Sequence, residues 1–360
     1  MVSDVIVVGG GLAGLLTARE LSVAGLRVTL VERGQTGRES SWAGGGILSP
    51  LYPWRYPQAV TALAAWSQAY YPEAMAELAS STGIDPEYLP SGLLMLDPQE
   101  RDEASSWAKA QNVVLQHVDI DGDRHVEPAL RYRGEALLLP KVGQVRNPRL
   151  LQALTRDLEL RGVDMRTQSP VQSVVINKDS VEGVMVGGAL LAAPRVVLAC
   201  GAWSQQLLEP LGLSVPIKPV RGQMLLFKSA PGFIKHIVMQ KGYYVIPRKD
   251  GHLLAGSTLE YVGFDKSTTE EAKHQLLAHA SAFLPTLASL PLVKQWAGLR
   301  PGSRDGVPMI GEHPQVRGVF VSAGHFRNGV VLGPASARLL ADLILDRAPI
   351  VPPEPYVLVK

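Results

Sequence analysis

Three glycines and one acid are the first residues with a chemical reading. Gly9-x-Gly11-x-x-Gly14 follows the β-branched run Val5-Ile6-Val7-Val8, and leucines at helical spacing come after it (Leu12, Leu15, Leu16, Leu21). In a strand–turn–helix unit the first glycine makes the tight turn. The second lets backbone approach a pyrophosphate, and the third lets the helix pack on the strand. The negative charge of a bound pyrophosphate would then face free N–H groups at the positive end of the helix dipole. Glu32 closes the next strand-like run, 18 residues beyond Gly14 (32 − 14), close to the ~20 expected of an acid that binds ribose hydroxyls. A carboxylate there repels a 2′-phosphate and so disfavours NADP. The motif by itself leaves NAD and FAD open.

A second tract, Gly37-Arg38-Glu39-Ser40-Ser41-Trp42-Ala43-Gly44-Gly45-Gly46-Ile47, stands where an ordinary helix would continue an NAD-binding unit. Such a tract could lay backbone N–H groups along an extended cofactor, or form a flexible surface loop. Other residues look chemical and are read as structural. His274 and His279 are five apart, off the i, i+4 face of a helical metal pair. Asp119-Ile120-Asp121-Gly122-Asp123 has its glycine too early for a calcium loop, and Leu130 stands where a bidentate Glu belongs; it reads as a solvated turn. Cys200, the single cysteine, reads as an inert thiol at the end of a buried strand. Trp54, Trp66 and Tyr70 are read as packing a long helix rather than lining a lid. No metal site is expected.

Elements must hold these residues together. The chain has 360 residues, 46% hydrophobic and 19% charged. That suffices for about two domains with real cores and argues against disorder. Thirty-five basic against 33 acidic residues is no basis for a nucleic-acid partner. One cysteine allows no intramolecular disulfide or Cys-based metal cluster. The start shows no secretory n-region, and the apolar stretch 5–16 is shorter than the ~20 residues of a membrane span. These features suggest a cytoplasmic protein without a membrane partner. Strands are expected at 5–8, 27–31, 171–176, 181–191, 195–199 and 319–322. Helices are expected at 12–24, 57–81, 98–110, 147–161, 268–283 and 334–345, with Asn147 capping one and Thr268 with Glu271 forming a capping box on another. Residues 216–256 read as successive strands of an antiparallel sheet. The fold class is therefore α/β: a Rossmann-like nucleotide-binding domain assembled from 1–83, 146–216 and 306–350, a mainly antiparallel-sheet substrate domain from 84–145 and 217–305, and a tail at 351–360.

With these pieces in view the sequence resembles the FAD-dependent D-amino-acid oxidase family, and within it the glycine-oxidising branch linked to thiamine biosynthesis. The resemblance covers nearly the whole chain. It rests on Val7-Val8-Gly9-Gly10-Gly11, the Ser40–Gly46 tract, Val196-Val197-Leu198-Ala199-Cys200-Gly201-Ala202-Trp203-Ser204 and Pro219-Val220-Arg221-Gly222-Gln223. It rests also on Tyr244-Val245-Ile246-Pro247-Arg248, Trp296-Ala297-Gly298-Leu299-Arg300-Pro301 and Gly324-His325-Phe326-Arg327-Asn328-Gly329. The first three mark flavoproteins broadly; the last two in this order are more specific.

The resemblance implies non-covalent FAD, since monomeric sarcosine oxidases in this superfamily use a C-terminal cysteine that this chain lacks. Beside Gly9, Gly11 and Gly14 it implies FAD contacts from Leu12 and Ala13 at the phosphates and from Glu32 and Arg33 at the ribose. Ser40, Ser41, Gly45, Gly46 and Ile47 would follow the pyrophosphate, and Val171 would meet the adenine side. His325, Phe326, Arg327, Asn328, Gly329, Val330 and Val331 would lie along the flavin, ahead of a helix whose N-terminus faces its N1–C2=O edge. For a small amino acid it implies Arg300 gripping the carboxylate, Tyr244 donating to the same group, and Arg327 shaping the amine end through its carbonyl. A guanidinium suits a carboxylate because it donates two parallel hydrogen bonds. Hydride would pass from Cα to the flavin without a side-chain base, leaving an imine that hydrolyses to oxo acid and ammonia, with oxygen reduced to hydrogen peroxide. A homotetramer is implied by the resemblance alone. Gly242 and Leu259 depart from the branch's pattern, which has histidine and methionine there, and put the substrate size preference in doubt. The alternatives are a quinone-linked D-amino-acid dehydrogenase of the same fold and, from another class, a tRNA-modifying flavoprotein module.

Overall fold

The computed structural model describes residues 3–120 and 126–358. Four consecutive buried apolar residues make Val5–Val8 a central strand, as expected of a parallel sheet covered on both faces. The sheet has six strands in the order Met309–Glu312, Val319–Ala323, Val196–Leu198, Val5–Val8, Val28–Val31, Asp164–Arg166. All neighbours run parallel except Met309–Glu312 against Val319–Ala323. Strand order therefore reverses beside Val5–Val8, and the crevice at its carboxyl end is where such sheets bind ligands. Helices Leu12–Val23, Gln58–Thr82, Asn147–Leu160 and Gly329–Ile344 cover one face, sharing a core that includes Leu15, Leu63, Leu154 and Leu339.

A second sheet of eight strands runs Leu292–Gly302, Lys218–Lys228, His252–Gly256, Tyr243–Pro247, Ile237–Gln240, Leu93–Leu96, Glu135–Leu139, Gln116–Asp119. Only Ile237–Gln240 with Leu93–Leu96 is parallel. Alternation assigns its two faces. Leu225, Val245 and Leu253 pack under helix Glu270–Phe283, while their neighbours Met224, Tyr244 and Leu254 belong to the opposite face. That opposite face is the one that turns toward the nucleotide fold. A third sheet holds Val171–Asn177, Ser180–Val186 and Ala189–Ala192. This is the mixed α/β class read from the sequence, a parallel sheet plus a mainly antiparallel one. No helix among the described residues is long and apolar enough to cross a membrane.

Four local expectations are corrected. The strand expected over 181–191 is a hairpin, because Gly187 and Gly188 take left-handed conformations, φ 59° and 79°, that turn the chain back. Asn147 is the first helical residue rather than the cap; its Nδ2 is used to donate to Ser41 O at 2.7 Å. The cap of helix Glu270–Phe283 is Thr269, whose Oγ1 accepts from Ala272 N. Gln223 and Gln295 hold that residue in place through its N–H and carbonyl. The last helix starts at Gly329, not at 334, and contains Pro334. Proline removes the N–H that Val330 O would have accepted. Tyr71 Oη donates to Val330 O instead, at 2.6 Å, and Ala335 N donates to Ser67 Oγ at 3.0 Å. Helix Gln58–Thr82 thus supplies what the proline takes away. Asp121, Gly122 and Asp123 of the solvated-turn reading lie outside the described residues.

Candidate functional site

A cavity of about 450 Å³ runs from the carboxyl end of Val5–Val8 to the inner face of the antiparallel sheet. At its first end the glycines have separate work. A Cβ on Gly9 would stand 2.4 Å from Ala199 O, and one on Gly14 would stand 1.8 Å from Gly9 O. Only glycine therefore lets the turn and the helix meet. Gly14 serves this packing and does not line the cavity, whereas Gly9, Gly11, Leu12 and Ala13 do. The first helical turn carries no acidic residue, and Leu12 N is capped by Ser41 Oγ at 2.9 Å.

Glu32 is fixed by its neighbours' backbone. Its Oε2 accepts from Gly10 N at 2.7 Å and its Oε1 from Gly34 N at 2.8 Å. The carboxylate thus edges the cavity in one orientation with lone pairs to spare. Arg33 lies 3.6 Å over the Trp203 ring and pairs with Glu39. Val171, from the third sheet, also lines this end.

Ser40, Ser41, Gly45, Gly46 and Ile47 line the middle. The tract is anchored rather than flexible. Val145 N donates to Gly46 O, and Arg248 Nη2 donates to Gly45 O at 2.8 Å. Arg248 is buried, with Nη1 on Gln144 Oε1 and Val145 O. Burial and the nearby Arg146 pull its pKa down to about 10.

Strand Val319–Ala323 leads through Gly324 to His325, a single turn Phe326–Asn328 and helix Gly329–Ile344. His325 to Val330 line the cavity, while Val331 sits in the apolar core beneath it. Burial pushes the His325 pKa down to about 4, so the imidazole is neutral. Its Nε2, Ser322 Oγ and Asn328 Nδ2 are buried without hydrogen-bond partners. Buried polar groups are nearly always satisfied, so orphans in a cavity wall point to a polar ligand. Together with the glycine cradle and the held carboxylate, these residues fit FAD.

At the far end Arg300, on strand Leu292–Gly302, donates Nη1 to Thr258 O at 3.0 Å and Nη2 to Ser257 Oγ at 2.7 Å. Among the described residues no acidic side chain forms an ion pair with it. Burial lowers its pKa; Tyr244 opposes that fall and Arg327 adds to it. Tyr244 is buried beside the guanidinium, its Oη 3.6 Å from Met224 Sδ. Arg327 is exposed at the rim. A cationic fork held by neutral acceptors next to a phenol is a ready partner for one carboxylate. The rim opens into a smaller recess of about 240 Å³ lined by Lys241, Gly242, Leu259 and Arg327. A Cβ on Gly242 would meet nothing within 4 Å, so that wall is open.

Sequence reasoning missed Ser257 and Thr258, which no motif marks, and gave no role to Gly222. A Cβ on Gly222 would lie 2.1 Å from Arg300 Nη1, so this glycine makes room for the guanidinium. Its signal was present in the Pro219–Gln223 motif without a chemistry attached. Trp66 and Tyr70 pack the long helix as read, stacking at 5.2 Å, and His279 stacks on Tyr243. Trp54 does not pack that helix: it lies against the antiparallel-sheet core and its Nε1 donates to Glu100. Cys200 Sγ donates to Val8 O at 3.4 Å, and burial pushes its pKa up to about 12. Among the described residues no group of His, Cys, Asp and Glu could hold a metal.

The family model described as DAO, FAD dependent oxidoreductase, matches residues 4–343. The chain is 50% identical over 358 residues to the glycine oxidase of Pseudomonas aeruginosa, covering 99% of this chain and 98% of that protein. It is 30% identical to the bifunctional protein ThiO/ThiG of Trichormus variabilis, over 96% of this chain and 53% of that protein. Among solved structures, the glycine oxidase of Geobacillus kaustophilus superposes with a TM-score of 0.93 at 30% identity, covering 99% and 98% of the two chains.

Proposed function

The chain belongs to the FAD-dependent oxidoreductase family and is an FAD-dependent amino-acid oxidase; from that premise we propose that it oxidatively deaminates glycine, with sarcosine and small D-amino acids as further substrates. The products are the oxo acid (glyoxylate from glycine), ammonia and hydrogen peroxide, and the imine serves thiamine biosynthesis. The reaction is cytoplasmic, with a small amino acid and molecular oxygen as the partners and FAD held non-covalently. The observation that carries the reading is Arg300, a half-buried guanidinium that pairs with no acidic side chain among the described residues, at the end of a cavity whose other end is built for a dinucleotide.

Bound FAD supplies a hydride acceptor for the substrate Cα–H and a route for the electrons to oxygen. The protein's own residues do the rest. Gly9, Gly11, Leu12 and Ala13 present backbone to the phosphates, Glu32 holds the ribose, and residues 40–47 and 325–330 form the walls. Arg300 grips the carboxylate bidentately and Tyr244 donates to it, which fixes the position of Cα. The Arg327 carbonyl receives the amine. Neutral His325 adds no further cation to a pocket that already holds Arg300 and Arg327. No side chain needs to remove the α-proton, because it leaves with its electron pair as hydride. The open wall at Gly242 and Leu259 leaves space for N-methyl and short side-chain substituents.

The test is a visible spectrum of the purified holoenzyme, repeated anaerobically with glycine. Bleaching of the oxidised flavin bands, and peroxide formation in air without a dye acceptor, are expected. An unbleached spectrum in saturating glycine refutes the substrate assignment. In Arg300→Ala the loss of a charge-assisted bidentate pair, about 2–4 kcal/mol, raises the KM for glycine roughly 30- to 1000-fold while FAD stays bound.

A further inference from the structure

Arg300 is held by acceptors that lie outside any regular ladder. Thr258 O and Ser257 Oγ belong to the segment that leaves strand His252–Gly256 and crosses to helix Glu270–Phe283. Such a segment keeps its place only if other groups fix it. Here the fixing groups come from one residue and its immediate neighbours.

Arg221 exchanges both backbone hydrogen bonds with Glu260, each at 2.9 Å. Its guanidinium reaches Glu260 Oε2 through Nη2 at 2.5 Å and Nε at 3.0 Å, and Asp265 Oδ2 through Nη1 at 2.5 Å. Glu260 Oε1 accepts in turn from Thr258 Oγ1 at 2.5 Å and Gln223 Nε2 at 3.0 Å, and Gln223 N donates to Thr258 Oγ1 at 2.8 Å. An unbroken series of contacts thus runs from Arg221 through Glu260 and Thr258 to Arg300. Arg221 is 4% exposed, so its charge is committed to this cluster. Its neighbour Gly222 points to the opposite face of the strand, under Arg300. One dipeptide therefore serves the substrate guanidinium from two sides.

The second consequence concerns charge. Glu260 is an acid whose field reaches Arg300. Left unpaired, it would compete with a substrate carboxylate for that guanidinium. We propose that the Arg221–Glu260 ion pair is a positioning device for substrate binding: it holds the Thr258 acceptor on Arg300 and keeps the Glu260 carboxylate occupied, so that Arg300 stays open to the substrate. The inference rests on the reading of Arg300 as the carboxylate-binding residue. Arg221 and Glu260 are positioning residues; neither touches substrate in this account.

The test uses the holoenzyme, with KM and kcat for glycine and the Kd of acetate read from its perturbation of the visible flavin spectrum. In Glu260→Gln both KM and the acetate Kd rise roughly five- to tenfold, with kcat within about twofold. Asp265→Asn, which removes only the exposed partner of Arg221, leaves both constants within about twofold. Arg221→Gln raises both by about thirtyfold or more, because a freed Glu260 turns to Arg300. The double variant Arg221→Gln/Glu260→Gln returns to within about threefold of Glu260→Gln. That rescue separates the proposal from a merely structural role, since a fold defect would add rather than cancel. Unchanged constants in folded Glu260→Gln, or a double variant no better than Arg221→Gln, overturn it. If Arg221→Gln does not fold, the contrast between Glu260→Gln and Asp265→Asn decides: equal constants in the two refute the proposal. A large KM effect in Arg300→Ala with none in Glu260→Gln defeats this inference alone, whereas an unchanged KM in Arg300→Ala defeats the underlying reading.

Discussion

A single methyl group added at Gly222 should disable substrate binding without harming the fold. The Cβ of Gly222→Ala would lie 2.1 Å from Arg300 Nη1 and 2.3 Å from both Cζ and Nη2. An ordinary contact needs about 3.4 Å, so the guanidinium must retreat by about 1.3 Å (3.4 − 2.1). Its bonds to Thr258 O and Ser257 Oγ are 3.0 and 2.7 Å long. A displacement of that size takes at least one of them beyond hydrogen-bond range. The obstacle is the far end of a flexible side chain, and Gly222 has a backbone conformation that alanine adopts freely, so the Gly222–Gly298 strand pairing survives. A misplacement of ~1 Å in a positioning group costs on the order of 100-fold in kcat/KM. Steady-state kinetics with glycine should show that loss mainly in KM, with FAD content and thermal midpoint close to those of the parent protein. In an Arg300→Ala background the same methyl should cost nothing further, because the group it displaces is already gone. Wild-type kcat/KM in Gly222→Ala, or full additivity with Arg300→Ala, would refute the reasoning.

Glu32→Ala removes the acceptor of Gly10 N and Gly34 N, and FAD affinity should fall roughly tenfold or more. Turnover at saturating FAD should change little, and a titration giving the parental Kd would exclude Glu32 from the ribose site. Cys200, its pKa pushed up to about 12 by burial, should resist iodoacetamide at pH 8 in the holoenzyme and react once unfolded; rapid alkylation of the native holoenzyme would contradict the raised pKa of this half-buried thiol. Acid should destabilise the fold in two windows. Buried His325, with its pKa pushed down to about 4, is neutral when native but protonates when unfolded, so stability falls as pH drops from about 6.5 to 4. Burial opposes ionisation of Asp250, but hydrogen bonds from His252 and Arg146 hold its carboxyl well below the usual range. Its contribution is full above the ordinary carboxylate pKa and is lost as pH falls below about 4. In Asp250→Asn the thermal midpoint should depend less on pH in that lower window; an identical acid limb would remove Asp250 from the account.

Much of the cofactor end was legible because its chemistry is local. Gly9, Gly11, Gly14 and Glu32 act within one strand–turn–helix–strand unit, where spacing along the chain is spacing in space. Arg300 and Tyr244 stood out only by resemblance to a family, since a lone arginine on a strand has many uses. Helix starts were misjudged where distant residues decide them. Pro334 sits inside the last helix only because Tyr71 takes the Val330 carbonyl, and no window around residue 334 contains that tyrosine. Asn147 sits inside the helix, where its Nδ2 donates to the carbonyl of Ser41, more than a hundred residues away.

By itself, then, the amino-acid order determined an α/β chain with a dinucleotide cradle at its N-terminus, because glycine spacing, β-branched runs and a following acid express backbone geometry directly. The tertiary structure alone decided that Gly222 clears the space Arg300 fills, that Thr258 and Ser257 hold that guanidinium, and that Arg221 keeps Glu260 away from it. Those relations join residues 39 to 78 positions apart in the chain. The register of a sheet, and which face each side chain then occupies, is fixed by cooperative packing of the whole layer rather than by any local pattern.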